Sequence, residues 1–535
     1  MQDRAQIYKL LFILSFIAMA CHSGSSRQDQ VNRDTLAPAP IDTSLIGVFS
    51  EPSTYRFDSV ALDSFFATYR ALTPYAKDVR QFYRQRNYAF AWHDSTGQIE
   101  QAANLYNRIR RLSEEGISSG IPYSRQLDTL MMSTEKAPPD VEIQEELLLT
   151  SMYFFFAEKA WAGLPESQTR KIAWFLPRKK ASSLDWLQSY LSSTDSAIKE
   201  KEPIYRQYFL LKKYLQRYTS IQQQEAWLPL SLEKRSYRPG DTGFVIMEIK
   251  RRLHILGDMS SQDTSNRIDD TLTNAIKKFQ HRMGLTQDGV IGKSFITALN
   301  VPLQKRISQI MINMERSRWL PDTVRGEYLA INIPEFKLHM YRDDSLLWDM
   351  KVVVGKAIHK TVIFSGALKN IVFSPYWNVP PGILKNEVLP GIRKDKNYLD
   401  RHHMEWNGSN IRQKPGPWNS LGGVKFLFPN SYNIYLHDTP AKDLFDKSSR
   451  AFSHGCIRLA EPAKLAAWLL RDDPQWTPEK IQKAMHAGVE KWVSVKFPFR
   501  VFIVYFTAWV DSQGNLNFRN DIYDRDSRLE KMLMR

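Results

Sequence analysis

The residues of this chain that could break and remake an acyl bond gather in one short stretch. His437 lies in Asn433-Ile434-Tyr435-Leu436-His437-Asp438-Thr439, and 15 residues separate it from Ser453-His454-Gly455-Cys456-Ile457-Arg458. A thiol is a poor nucleophile until ionised, and a nearby imidazole can take its proton and later return it to a leaving amine. Cys456 suits the nucleophile and His437 the base. Backbone N–H groups around Gly455 and Cys456 could receive a developing oxyanion, because glycine lets the backbone approach closely. Alone, a cysteine is usually a small buried hydrophobe and a histidine a structural donor, so the weight rests on the pair.

Positioning these groups requires strands. In the segment around His437, alternation sends Ile434 and Leu436 one way and Tyr435 and His437 the other, into one cleft. If its segment is extended, Arg458 stands on the same side as Cys456. Short alternating runs continue through Leu329, Ile331 and Ile333, Leu338 and Met340, Val352–Gly355, Ile371–Phe373 and Phe499–Phe506, with a helix near Pro462–Leu470. A mostly β domain from about 327 to 508 follows. Between Pro375 and Val424 the β pattern gives way to a Pro-, Gly- and Trp-rich stretch of the kind that forms lids or binding loops.

Upstream the period changes. From about Tyr55 to Gln224 apolar residues recur at helical spacing, and aromatic runs such as Tyr153-Phe154-Phe155-Phe156 and Trp161 read as a helix-bundle core rather than a ligand groove. Between Tyr237 and Val301 two helices are predicted, one after Asp241-Thr242 and closed by Gly257, the other after Asp269-Asp270. A connector with Asn313-Met314-Glu315-Arg316 and Arg318-Trp319 joins this unit to the β domain. The N-terminus carries Arg4 and Lys9, an apolar run Leu10–Ala20 and then Cys21. That is the form of a secretion signal ending at a cysteine that can be acylated. Of the 2 cysteines this leaves Cys456 as the free thiol of an exported chain.

With 535 residues and 43% hydrophobic content the chain can bury several cores, which excludes a mostly disordered protein. Its net charge of +16 is spread thinly and favours anionic surfaces, but no nucleic-acid-binding motif accompanies it, so no nucleic acid partner is expected. The spacing of His437, Asp438, His454 and Cys456 lacks an established metal-site pattern, so neither a metal nor another cofactor is expected. A papain-like order would place Cys before His.

His437-x15-Ser453-His454-Gly455-Cys456 is similar to the signature of the L,D-transpeptidase catalytic domain, the YkuD type. The likeness extends through Asn313–Arg316, Asn332-Ile333-Pro334, Val353–Lys356, Pro375–Pro380, Arg412–Pro417 and Ala451-Phe452. Arg458 stands where many members have Asn, as in the large YcbB-like members, and Thr361-Val362 where many have Thr-Pro. Residues 237–301 resemble a three-helix peptidoglycan-binding domain through Gly240-Asp241, Phe279-Gln280, Asp288-Gly289 and Ile291-Gly292, with Phe295 in place of a usual threonine; wall binding and a structural spacer both fit it.

The resemblance implies a multidomain α+β protein: signal peptide with lipobox Cys21 (1–21), flexible linker (22–49), helical scaffold (50–235), peptidoglycan-binding domain (236–301), helical connector (302–326), mostly β catalytic domain (327–508, cap about 375–424) and C-terminal tail (509–535). It implies a peptidoglycan L,D-transpeptidase that forms 3→3 crosslinks through a Cys456 thioester with release of D-Ala. His437 would move protons, Gly455, His454, Ser453 and Arg458 would shape the turn and bind the oxyanion or a stem carboxylate, and Tyr435 and Trp377 would wall the cleft. Donor and acceptor stem peptides, a membrane reached through the lipid anchor on the periplasmic side, and carbapenem-type β-lactams are the implied partners. Trimming of tetrapeptides by an L,D-carboxypeptidase and a wall-binding scaffold without catalysis are the alternatives.

Overall fold

The computed structural model describes residues 53–94, 97–118, 120–132, 138–178, 182–192 and 202–533. The signal segment with Cys21 and the linker 22–49 lie outside the described residues. The rest is a multidomain α+β molecule with three apolar clusters.

The scaffold packs α1 (Val60–Thr68), α2 (Ala76–Gln85), α3 (Glu100–Arg110) and α4 (Ser124–Met132) around α5 (Pro139–Phe156). Every residue of α5 from Glu145 to Phe156 is buried, as expected of a helix enclosed on all sides. Its one fully buried carboxylate, Glu146, accepts from the Tyr83 hydroxyl at 2.8 Å and from Trp92 N–H at 3.1 Å, so the charge is not left bare. Helices α6 (Ser183–Leu191) and α7 (Gln207–Gln224) complete the layer.

The next unit has three helices: α8 (Phe244–Leu256), α9 (Asp270–Arg282) and α10 (Lys293–Leu299). Asp269 caps α9 by accepting from Leu272 N–H at 2.7 Å, and Gly257 ends α8 at φ +83°, where a side chain would be strained. Phe295, the departure from the family pattern, is buried against Phe279 with ring centres 4.9 Å apart and fills the core.

Helix α11 (Leu303–Arg318) is more than the connector expected for 302–326. Asn313 to Arg318 are all buried, because α11 runs where scaffold, catalytic domain and C-terminus meet. Arg318 donates to Ala160 O at 2.9 Å and Glu315 at 2.8 Å, while Glu315 accepts from Leu164 N–H at 2.6 Å and the Trp319 indole at 2.9 Å. Arg316 pairs with Asp526 at 2.7 Å, and the Asn313 side-chain Oδ1 accepts from Thr507 N–H at 3.0 Å.

The catalytic domain is built on strands β1 (Trp174–Phe175), β2 (Glu327–Asn332), β3 (Lys337–Arg342), β4 (Ser345–Gly355) and β5 (Ile363–Phe373). The cap follows with β6 (Trp377–Asn378), β7 (Met404–Asn407) and β8 (Asn410–Gln413), and the chain then returns to the large sheet with β9 (Val424–Leu427), β10 (Leu436–His437), β11 (Ala451–Ser453), β12 (Ile457–Leu459) and β13 (Lys491–Val504). Their order is β9-β10-β12-β4-β3-β2-β13-β5-β1, and β5 also pairs with β9, so the sheet closes on itself and hides its edges. Leu329, Ile331, Leu338, Met340, Val352, Val354, Val501 and Ile503 alternate inward. Helices α12 (Pro462–Leu469) and α13 (Pro478–Met485) pack on this core.

Two expectations change. The stretch 375–424 contains regular structure: β6, β8 and β7 form a three-stranded sheet, short helices fill Pro381–Arg401, and Val379, Val388, Met404 and Ile411 form a small core of its own. Its Pro and Gly residues punctuate short elements that a strand-period reading passes over. The expected tail from 509 is folded too. Strands β14 (Ala508–Val510) and β15 (Leu516–Phe518) make a hairpin in the helical core, while Tyr523 and Leu529 of α14 (Asp526–Leu533) and the segment before it enter the catalytic core.

Candidate active site

The predicted strand around His437 is short: β10 holds only Leu436 and His437, and Asn433 takes φ +54°. Tyr435 still extends the ladder, its carbonyl accepting from Ile457 N–H at 3.2 Å. Strand β12 lies parallel to β10, with Leu436 beside Ile457 and His437 beside Arg458. Leu436, Ile457 and Leu459 are wholly buried in the core and force the alternate residues to the opposite face. Tyr435, His437, Cys456 and Arg458 thus share one face. The rings of Tyr435 and His437 are 5.7 Å apart.

The turn presenting the thiol is braced from within and from behind. Ser453 Oγ donates to Cys456 O at 2.5 Å and accepts from Gly455 N–H at 3.2 Å. Gly455 sits at φ +117°, a conformation that side chains rarely adopt. Its carbonyl accepts from Thr361 Oγ1 at 2.8 Å, and Thr361 Oγ1 in turn accepts from Gly355 N–H at 3.0 Å. Tyr523 closes the brace by donating to Gly355 O at 2.5 Å and accepting from Thr361 N–H at 3.2 Å. Gly455 N–H is therefore already taken, which corrects the expectation that it stands free as an oxyanion donor.

His437 is buried, and its Nδ1–H donates to Asp438 O at 2.5 Å. A carbonyl oxygen can only accept, so the proton sits on Nδ1 and the lone pair on Nε2. Burial, helped by the Arg458 guanidinium, lowers the imidazole pKa to about 3 and keeps the ring neutral. Burial also pushes the Cys456 thiol up, while hydrogen bonds from Tyr435 and the Arg458 charge pull against it. Cys456 Sγ–H donates to Asn433 O at 3.6 Å. The resting pair is thus a thiol and a neutral imidazole rather than an ion pair.

The remaining residues fall around this pair. Arg458 is half-buried, with an Nε that has no acceptor among the described residues, and desolvation lowers its pKa. Asp438 turns its carboxylate away, accepting from Thr439 N–H at 2.7 Å, Gly423 N–H at 2.8 Å and Lys442 at 2.5 Å. Trp377, half-buried in β6, hydrogen-bonds with Tyr435 and packs on the cap core, linking cap to cleft. His454 is exposed, 5.0 Å from the His359 ring, with Nε2 3.5 Å from Glu387 of the cap. Sequence reasoning passed over Thr361, Tyr523 and Glu387; only the motif-adjacent Thr361-Val362 departure pointed near one of them. No group of three or more His, Cys, Asp or Glu that could hold a metal occurs among the described residues.

Sequence matches to known families cover three segments of the chain. Residues 326–481 match the L,D-transpeptidase catalytic domain, 77–215 a scaffold domain, and 245–299 the family described as "Putative peptidoglycan binding domain". A Haemophilus influenzae protein named "Putative L,D-transpeptidase" is 31% identical over 242 residues, covering 41% of this chain and 48% of that protein, so the chain spans about half the length of this relative. Among solved structures, an L,D-transpeptidase from Xylanimonas cellulosilytica is 14% identical, with 51% of this chain and 100% of that one covered and a TM-score of 0.18. L,D-transpeptidase 3 from Mycobacterium tuberculosis in complex with a faropenem-derived adduct is 14% identical over 33% of this chain and 60% of that one, at a TM-score of 0.18. TM-scores this low carry no weight, and the assignment rests on the sequence matches. What the chain shares with the L,D-transpeptidases is therefore the catalytic domain matched over residues 326–481, with a scaffold-domain match and a peptidoglycan-binding-domain match ahead of it.

Proposed function

We propose that the protein crosslinks peptidoglycan by L,D-transpeptidation, with Cys456 as nucleophile and His437 as proton carrier. The observation that carries this reading is the β10–β12 pairing, which sets a neutral imidazole with its Nε2 lone pair free on the same face as the thiol. Cys456 Sγ attacks the carbonyl of the L,D-amide between the diamino acid and the terminal D-Ala of a tetrapeptide stem, and its proton passes to His437 Nε2. Collapse of the tetrahedral adduct breaks the C–N bond, the D-Ala amine takes that proton, and a thioester remains. The side-chain amine of a second stem attacks the thioester, loses a proton to His437 and leaves a 3→3 crosslink, while the thiol regains its proton.

Because His437 starts neutral, each half-reaction begins without first discharging an ion pair. Gly455 N–H being occupied, the Cys456 N–H and the Arg458 guanidinium are the donors left to meet the oxyanion. The cap, joined to the cleft through Trp377 and to the motif through Glu387, excludes water and favours aminolysis over hydrolysis. Acylation of Cys21 and anchoring on the periplasmic side belong to the same reading, as does acylation of Cys456 by carbapenem-type β-lactams.

The test is mass spectrometry of products formed from purified disaccharide-tetrapeptide, with Cys456→Ala as control. Dimers lacking one D-Ala, absent with the variant, are expected. Tripeptide without dimer would make the protein an L,D-carboxypeptidase, and no product from either form would return it to a wall-binding role.

A further inference from the structure

The scaffold contains a cleft that the reaction does not use. Three stretches converge on it: Tyr75 and Asp78 at the start of α2, the segment Ala157–Ala162 that continues α5, and Trp186 of α6. The middle stretch is a π turn, closed by Gly163 N–H donating to Glu158 O five residues back at 2.8 Å. Such turns cost hydrogen-bond quality and concentrate at functional sites. This one turns Glu158 and Trp161 toward the same opening.

Two donors buried in the wall have no acceptor among the described residues. Trp161 is 5% exposed, yet its indole N–H has no acceptor among the described residues. Arg178 spends its terminal nitrogens on Ala162 O at 3.0 Å and Thr169 Oγ1 at 3.2 Å, while its buried Nε–H is left over. Buried donors without partners are rare enough that each needs an explanation. Facing them are the acceptors Asp78 and Glu158, the latter bonded to the Tyr75 hydroxyl and to Lys159 Nζ at 3.0 Å, while Arg318, also on the lining, spends its guanidinium on Ala160 O, Glu115 O and Glu315. Trp186 lies beside Trp161, ring centres 6.1 Å apart, and is only half-buried.

Spare donors, carboxylate acceptors and a partly open indole together complement a neutral ring that carries hydroxyls at its rim and C–H bonds on its face. That is a pyranose. An acyl chain would bury Asp78 and Glu158 against hydrocarbon, and because the two carboxylates are offset by Arg178 and Arg318 on the same lining, the cleft carries no net charge to hold an anion.

We propose that this cleft binds a saccharide unit, so that the scaffold grips the glycan of the polymer whose stem peptides enter the Cys456 cleft. The identity of the polymer rests on the function proposed above; the sugar chemistry rests on the cleft alone.

The test uses the full mature chain carrying Cys456→Ala, so that binding is read without turnover. A β-1,4-linked tetramer of N-acetylglucosamine is titrated by calorimetry and tryptophan fluorescence, against Trp161→Phe, Glu158→Gln and Trp186→Ala in the same background. Glu158 is 42% exposed and Trp161→Phe keeps the ring packing, so thermal melts should stay within a few degrees and report any variant that misfolds. Saturable binding is expected, weakened about 3- to 10-fold by each variant and not displaced by a sugar-free tetrapeptide. No binding, equal binding by all three variants, or displacement by the free peptide would each overturn the proposal. Failure of the crosslinking assay leaves these outcomes untouched, so the two readings fail separately.

Discussion

The polar groups of α11 and those of the β10–β12 face are both buried, yet they are treated in opposite ways. Around α11, the Arg318 guanidinium meets two carbonyls and a carboxylate, and Glu315 accepts from three directions. On the cleft face, among the described residues, His437 keeps one nitrogen uncommitted and Arg458 keeps an Nε–H unbonded. The Arg318–Glu315 pair is thus fully bonded, although Arg316 Nε two residues earlier has no acceptor among the described residues; a bonded buried pair fixes how domains sit against each other, whereas uncommitted groups lining a cleft are free for a substrate. The difference separates residues whose loss costs fold from residues whose loss costs chemistry.

The strongest way to break that division is Cys456→Ala. Product formation should fall by at least about 10³-fold while the melting midpoint moves by less than about 2 °C, because a half-open thiol contributes little packing. A large drop in melting temperature would place Cys456 with the structural group instead. Next comes Arg318→Ala, which leaves Glu315 buried without its ion-pair partner and should cost about 3–5 kcal/mol in urea unfolding. Activity per folded molecule should hardly change; a selective loss of kcat in folded protein would contradict the division.

A third measurement sharpens it through pH. His437 has its pKa lowered to about 3 in the folded chain against 6.5 when unfolded. Between these values the unfolded chain binds a proton that the folded chain refuses, so this residue makes stability rise with pH and fall as pH drops through the window. His437→Gln removes that contribution, and the variant should lose less stability than wild type between about pH 7 and about pH 4.5. By the same logic the acid limb of kcat/KM should lie well below 6.5; a limb centred there would mean that the imidazole is not held neutral. The smallest effect is expected from Glu387→Gln. Its 3.5 Å contact with His454 joins two exposed groups, worth at most about 1 kcal/mol, so the dimer-to-tripeptide ratio should shift less than about 3-fold.

Much of the site is legible in the chain itself. The period-2 alternation around His437, a glycine before the thiol and an arginine two residues after it are enough to put four side chains on one face, because strand geometry leaves them no other arrangement. The peptidoglycan-binding unit is equally readable, since its turns demand glycine and its helices have a local period. Less is visible where partners come from afar. Thr361 and Tyr523 brace the Gly455 turn from segments 94 and 162 residues away from their partners, and no local pattern marks them.

The sequence by itself determined the His437–Cys456 motif, the change from helical to strand period, and the order of a helical part, a small three-helix unit and a mostly β domain; these are local signals, set by spacing and turn chemistry. Only the tertiary structure decided that the C-terminal segment is a packed hairpin and helix, that α11 is the shared pillar of the domains, that Gly455 N–H is spoken for, and that His437 rests neutral. Each of these depends on which distant groups burial brings together. Desolvation and hydrogen-bond saturation are properties of the assembled surroundings, and no residue carries them alone.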